Sequence, residues 1–335
     1  MSRAGFVLRR LAWTVAVTLV VVTATFLLVA GPVDPNAAAV GFGVATSGGS
    51  AEEVRQAIEQ YRAARGLDRP FVERYVAFVT DLATLRLGTS FTYGDPVTEV
   101  VGERSVVTAV YLLPAVLLST VGGVAVGLWT SVRRGGRLDR ATAYLSYAAV
   151  GLPAFWVGLV LVGLFGEPLG FTGGLQAGFS VGVDGELELA DDLLDRRNLT
   201  YMLFPAAAMT LTLFAAQVRY VRSETREYLQ ASFVRRLRAA GASRRVVARN
   251  VLANAALPLV SVLFTELLGS LLVAVFVVEV ALSVPGLGEL ALTAVRTRDV
   301  PVVVAAMLLP VVVGVVGNFL QDLAYAALDP RVEAE

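Results

Sequence analysis

Whatever chemistry this sequence can do rests on guanidinium and carboxylate groups. All 28 basic residues are Arg, and the chain contains no Lys, no His and no Cys. Thiol nucleophiles, imidazole bases, disulfides and the usual zinc ligands are therefore excluded. Excluded with them are Schiff-base and Ser/Lys mechanisms and any phosphate-cradling loop ending in Gly-Lys-Ser/Thr. If ATP drives this protein, another chain binds it. The guanidiniums are concentrated in one place. Between Arg219 and Pro258 stand Arg219, Arg222, Arg226, Arg235, Arg236, Arg238, Arg244, Arg245 and Arg249 against only Glu224 and Glu227, a local balance of +7 in a chain of zero formal net charge. Such a cluster calls for an acidic partner or for one side of a membrane. Among the acids, Glu266 and Glu279 lie inside apolar sequence. Seven others (Glu167, Asp184, Glu186, Glu188, Asp191, Asp192 and Asp195) crowd into residues 166–200.

The elements that must position these groups are apolar helices. The 335 residues are 56% hydrophobic and 17% charged, with a mean hydropathy of +0.67, far too apolar for a soluble domain. Six runs are long enough to cross a bilayer: Leu11–Ala30, Val106–Trp129, about Ala141–Phe165, Tyr201–Val218, Leu257–Leu282 and Val302 to about Ala324. The first follows Arg3, Arg9 and Arg10. A signal peptide is its other reading, but hydrophobic regions of signal peptides run only about 7–15 residues. Gly123 and Gly127 have the spacing that lets helix backbones approach closely. Residues 34–104 turn polar and hold two amphipathic helices. Ser50-Ala-Glu-Glu53 is a capping box opening a helix that Gly66 ends. Pro70 starts the second, with Phe71, Tyr75, Phe78, Val79 and Leu82 on one face. Residues 88–94 and 283–301 read as loops. The Arg-rich N-terminus, residues 133–140 and residues 219–249 alternate with acidic or mixed segments, which places all three, and both termini, in the cytoplasm.

Within the Arg-rich segment the pattern predicts a helix up to Ala240, with Phe233, Leu237 and Ala240 on one face, then a break at Gly241. Ser243 caps a second helix through Val246, Val247, Val251 and Leu252 toward Leu257-Pro258. Charge and periodicity alone leave open an amphipathic helix on anionic lipid or a solvated loop. A charge at the position of Glu266, well inside a span, costs about 2.5–3.5 kcal/mol. It has two readings, an acid lining a path through the membrane or a protonated or hydrogen-bonded Glu at a helix interface. Glu279 lies nearer the outer end, ahead of the tight turn Pro285-Gly-Leu-Gly288. The acidic residues 184–195 suit a bound cation, a steering surface for a solute-binding protein, or plain solvated loop.

Arg235-Arg-Leu-Arg-Ala-Ala-Gly241-Ala-Ser, followed by Asn254-Ala-Ala-Leu-Pro258, resembles the cytoplasmic EAA loop of ABC-importer permeases. The likeness is to the dipeptide/oligopeptide (and nickel) branch. Leu8-Arg9-Arg10-Leu11, Gly66-Leu-Asp-Arg-Pro70 and Leu87-Gly-Thr-Ser-Phe91 are similar to that branch. So are Glu279 ahead of Pro285-Gly-Leu-Gly288, Arg298-Asp-Val-Pro-Val-Val303 and Asp329-Pro-Arg331. These landmarks come in family order over nearly the whole chain. The eponymous Glu-Ala-Ala is here Arg235-Arg236-Leu237, and Arg86 stands where the branch usually has an acid.

The resemblance implies an all-α integral membrane protein, a type I ABC-importer permease of six spans. It divides into residues 1–33 (N-terminus and first span), 34–104 (a small helical extracytoplasmic segment), 105–326 (the permease core, with an ATPase-docking loop at 219–257) and a tail at 327–335. Phe233 to Gly241 would dock on an ATPase subunit, with Leu237 and Ala240 as apolar knobs, Arg235, Arg236 and Arg238 meeting acidic residues, and Gly241 keeping the turn close. Glu266 and Glu279 are candidates for the translocation path or gate. The chain would bind no cofactor or metal, ATP belonging to two partner ATPases. A second permease and an extracellular solute-binding protein complete the assembly, in the cell membrane and without nucleic acid. The competing class, a stand-alone channel or ion-coupled secondary transporter, needs a proton or ion relay, and the spans contain hardly any ionisable residue to supply one.

Overall fold

The computed structural model describes residues 3–30, 35–64, 66–133, 136–166, 168, 196–269 and 275–328. These form thirteen helices: α1 (Arg3–Val29), α2 (Pro35–Thr46), α3 (Ala51–Ala64), α4 (Phe71–Ala83), α5 (Val97–Val132), α6 (Arg137–Val150), α7 (Ala154–Phe165), α8 (Arg196–Tyr228), α9 (Ser232–Ala239), α10 (Arg244–Gly269), α11 (Val275–Leu282), α12 (Leu287–Thr297) and α13 (Val300–Leu328). Four segments among the described residues are long and apolar enough to cross a membrane: Gly5–Val29, Val97–Val132, Met202–Tyr228 and Val300–Ala324. The bent pairs α6/α7 and α11/α12 raise the count to six if each is one span. The acidic residues 184–195 lie outside the described residues.

The chain divides into two compact units. In the larger (residues 1–12, 103–289 and 310–335), a core forms from Tyr111, Leu112 and Ala115 of α5, Met202, Phe204, Met209 and Leu213 of α8, and Val275, Val278 and Leu282 of α11. Phe155 and Leu159 of α7 pack against it. Glycine brings α5 onto α8: a Cβ at Gly123 would stand 2.5 Å from Cβ of Gln217, and one at Gly127 2.7 Å from Cβ of Val221. The four-residue glycine spacing is thus a packing device. Two expectations change. The third span is not straight: Gly151-Leu-Pro153 interrupts it and α6 and α7 meet at 104°, because Pro153 supplies no N–H and its φ of −62° with ψ of 139° starts a new helix. Of the expected fifth span, residues 257–269 lie in α10, which begins at Arg244 and runs through Pro258 to Gly269, and residues 275–282 form α11. The expected loop at 283–301 holds a helix, α12.

The smaller unit comprises residues 13–102 and 290–309. The Ser50 capping box forms as read, Ser50 N donating to Glu53 Oε2 (2.6 Å) and Glu53 N to Ser50 Oγ (3.3 Å). Gly66 takes a φ of +62° just past α3. A helix not expected from the polar reading of residues 34–104 precedes it. This is α2, whose Ala-rich sequence lacks a polar face; Gly41 lets it close on Ile58 of α3. Phe26 of α1 packs edge-on against Phe71 and Tyr75 of α4. Two sequence landmarks meet here. Oδ2 of the buried Asp299 accepts from Ser90 Oγ (2.5 Å) and Thr92 N (3.0 Å), and Thr92 Oγ1 donates to Thr297 Oγ1 (2.9 Å).

Candidate functional site

The arginine-rich segment is a helix, a break and a helix. α8 ends at Tyr228, three residues turn, and α9 runs from Ser232 to Ala239. Its end is a Schellman motif. Gly241 N donates to Arg238 O and Ala242 N to Leu237 O, both at 3.0 Å, with Gly241 in the left-handed region at φ +75°. Ser243 Oγ then accepts weakly from Val246 N (3.4 Å) to cap α10. Val234 of α9 is fully buried with Leu229, Val247 and Val251, and Phe233, Leu237 and Leu128 of α5 pack around them. Burial of Val234 removes one side chain's apolar surface from water, about 1.5–3 kcal/mol, and clips α9 to α10. The opposite face is basic: Arg235, Arg236 and Arg238 are exposed, as are Ala239, Ala240 and Gly241. Arg236 and Arg238 also stand in the last turn, where cations suit the helix dipole. Of the residues read as docking elements, Phe233 and Leu237 are half-buried and turn inward, whereas the three arginines, Ala240 and Gly241 face out.

Glu279 stands at the far end of α5 from this segment. It is fully buried and accepts from Thr108 Oγ1 (2.6 Å), Tyr111 Oη (2.8 Å) and Gly288 N (2.5 Å). Leu287 N in turn donates to Thr108 Oγ1 at 3.0 Å. Buried Arg104 donates to Pro285 O (3.3 Å) and pairs with Glu289 at 3.8 Å. A Cβ at Gly286 would fall on the Glu279 carboxylate, and one at Gly288 would stand 2.5 Å from Cα of Phe276. Pro285-Gly-Leu-Gly288 therefore needs its two glycines so that the backbone can close over a carboxylate. Glu279 staples α11 and α12 to α5. Thr108 and Leu128 are separated by about 30 Å of α5, the thickness of a hydrocarbon core, so the staple and the basic segment sit at opposite ends of one span. Glu266 lies on α10, and its side chain is outside the described residues.

Residues 123–334 match the family described as the binding-protein-dependent transport system inner membrane component. The chain belongs to this family. The permease is 28% identical over 335 residues to the oligopeptide transport system permease protein AppB of Bacillus subtilis (strain 168), covering 98% of this chain and 99% of that one. It is 31% identical over 277 residues to the di/tripeptide transport system permease protein DppB of Pseudomonas aeruginosa (strain UCBPP-PA14), covering 80% and 82%. It is 29% identical over 330 residues to the glutathione transport system permease protein GsiC of Pectobacterium atrosepticum, covering 98% of each. It is thus the multi-pass membrane subunit of an ABC importer, whose ATP hydrolysis belongs to a separate subunit.

The permease carries a further charged site that sequence reading missed. Asp139, in the first turn of α6, is buried with Arg222. Arg222 Nη1 lies 2.7 Å from Asp139 Oδ1, close in distance but without hydrogen-bond alignment. Arg226 Nη2 donates to Oδ1 (3.1 Å) and Oδ2 (3.4 Å). Arg222 and Arg226 are one turn apart on one face of α8, at the end that leads into α9. One carboxylate therefore ties the start of the bent span α6/α7 to the root of the basic helix. The signal available in sequence was the single acid among Arg133, Arg137 and Arg140, and the i,i+4 pair of arginines ahead of Tyr228.

Proposed function

We propose that this permease moves peptides, or a related small solute, into the cell, and that α9 and the Gly241 turn are where an ATPase subunit docks. The observation that carries the docking reading is α9 itself. It is a short helix clipped to the protein through Val234, with its guanidiniums exposed and with open space around a Cβ placed at Gly241. A rigid, basic, protruding element of this kind suits an acidic groove on a partner. Nucleotide-driven closure of two ATPases would then pass through it to the spans as rigid-body motion. A second homologous permease and an external binding protein complete this assembly, with both termini cytoplasmic, as the Arg-rich segments favour. The peptide assignment follows the substrates named for the relatives.

The test is Gly241→Asp in the reconstituted assembly. A side chain at φ +75° strains the turn, and the acid opposes the basic dock. ATP hydrolysis should become uncoupled from uptake, with the assembly intact. Wild-type uptake by this variant refutes the docking assignment. Uptake of a labelled peptide by the single chain in liposomes without ATP refutes the importer mechanism for this chain.

A further inference from the structure

We infer that α4 is an interfacial helix seated in lipid, with Val72 and Val76 in contact with acyl chains of the leaflet that holds the C-terminal end of α1. The apolar arc of α4 is wider than its protein contact. Phe71, Tyr75 and Phe78 surround the ring of Phe26 at centroid distances of 5.2, 5.3 and 5.4 Å. At 100° per residue, Val72, Val76, Val79 and Ala83 form a second apolar strip beside that one. Val72 is 69% and Val76 56% exposed. Glu73, Thr80 and Asp81 occupy the remaining side and are exposed, so the polar face is distinct from the bare apolar strip.

Depth decides what covers the strip. Three residues spread over two turns of α4 meet the single ring of Phe26, so α4 crosses α1 at that ring. Tyr75 Oη also shares a 2.8 Å hydrogen bond with Thr23 Oγ1. The uncharged run of α1 starts after Arg10 and extends to Ala30, about 30 Å, so it fills the hydrocarbon core. Thr23 lies about 10 Å below the C-terminal end of that run. A helix held there sits below the headgroups, at the level where α1 itself leaves Val20, Leu27 and Leu28 bare, 68%, 55% and 84% exposed. Acyl chains are the occupant that matches an uncharged strip at that depth, and the depth of about 5–10 Å is that of an amphipathic interfacial helix.

The chain contains no Cys, so single cysteines introduced as Val72→Cys, Glu73→Cys, Val76→Cys and Thr80→Cys can be spin-labelled in the full-length protein reconstituted in phospholipid vesicles. Oxygen should relax the labels at 72 and 76 more strongly than a water-soluble nickel chelate does, and the order should reverse at 73 and 80. The chelate reaching 76 as freely as 73 overturns the inference, because the strip then faces water. Exclusion of both relaxants at 72 and 76, with an immobilised spectrum, overturns it equally, because a protein surface then covers the strip. The chelate must reach the labels at 73 and 80, and their protection from it overturns the inference as well, because the polar side of α4 then does not face water.

Discussion

Replacing Asp139 by Asn removes one charge at constant shape and leaves two guanidiniums facing each other. Arg222 is 5% exposed at its side chain and cannot turn to water, whereas Arg226 at 39% can. Breaking a buried pair by removing one partner costs about 3–5 kcal/mol, and the partial exposure of Arg226 puts this case near the lower end, about 3 kcal/mol. Arg226→Ala should cost no more than about 1 kcal/mol, because Asp139 keeps Arg222. Arg222→Met should fall between the two, and the double variant Asp139→Asn with Arg222→Met should cost less than the sum of its parts, since the orphaned cation is gone. Thermal inactivation of the solubilised protein, compared across these four variants, measures the order. The reasoning fails if Asp139→Asn is no less stable than Arg226→Ala, or if the double variant is merely additive. Uptake in the assembled transporter adds a second reading: the cluster roots α9 on α8, so Asp139→Asn should lower uptake more than ATP hydrolysis.

Two further expectations concern other parts of the chain. Gly286→Ala forces a methyl onto the Glu279 carboxylate and should destabilise by about 1–3 kcal/mol, as overpacking does, whereas Ala at the open Gly163 should be tolerated; matched thermal inactivation of the two variants checks this. The hydrogen bonds from Ser50 lower the pKa of Glu53 below its ordinary value of 4.5. The group is depressed in the folded state, so its stabilisation is present above the ordinary carboxylate value and is lost as pH falls through the lowered one. Exchange protection of the first turn of α3, corrected for intrinsic rate, should decline over that acidic window and lose the pH dependence in Glu53→Gln.

The sequence by itself determined whatever depends on neighbours along the chain. Hydropathy located the apolar helices, Ser50 and Glu53 declared their cap three residues apart, and Gly241 announced the end of α9, because caps and glycine turns are closed by atoms within a few residues of one another. The absence of Lys, His and Cys excluded whole classes of chemistry without any coordinates. The bend at Gly151-Leu-Pro153 was written in the residues but read as part of a straight span, since a membrane helix tolerates proline when its neighbours satisfy the freed backbone groups. Only the tertiary structure decided which polar groups meet. Asp139 and Arg226 are 87 residues apart, Tyr111 and Glu279 168, and Ser90 and Asp299 209. No local periodicity encodes such pairs; each exists because packing brings two distant segments together and because a buried charge must find its counter-charge or its donors. The same holds for α9. The resemblance implies Leu237 and Ala240 as apolar knobs; which side chain of α9 is buried depends on where α10 lies, and packing buries Val234, leaves Leu237 half-buried and leaves Arg235, Arg236, Arg238 and Ala240 exposed.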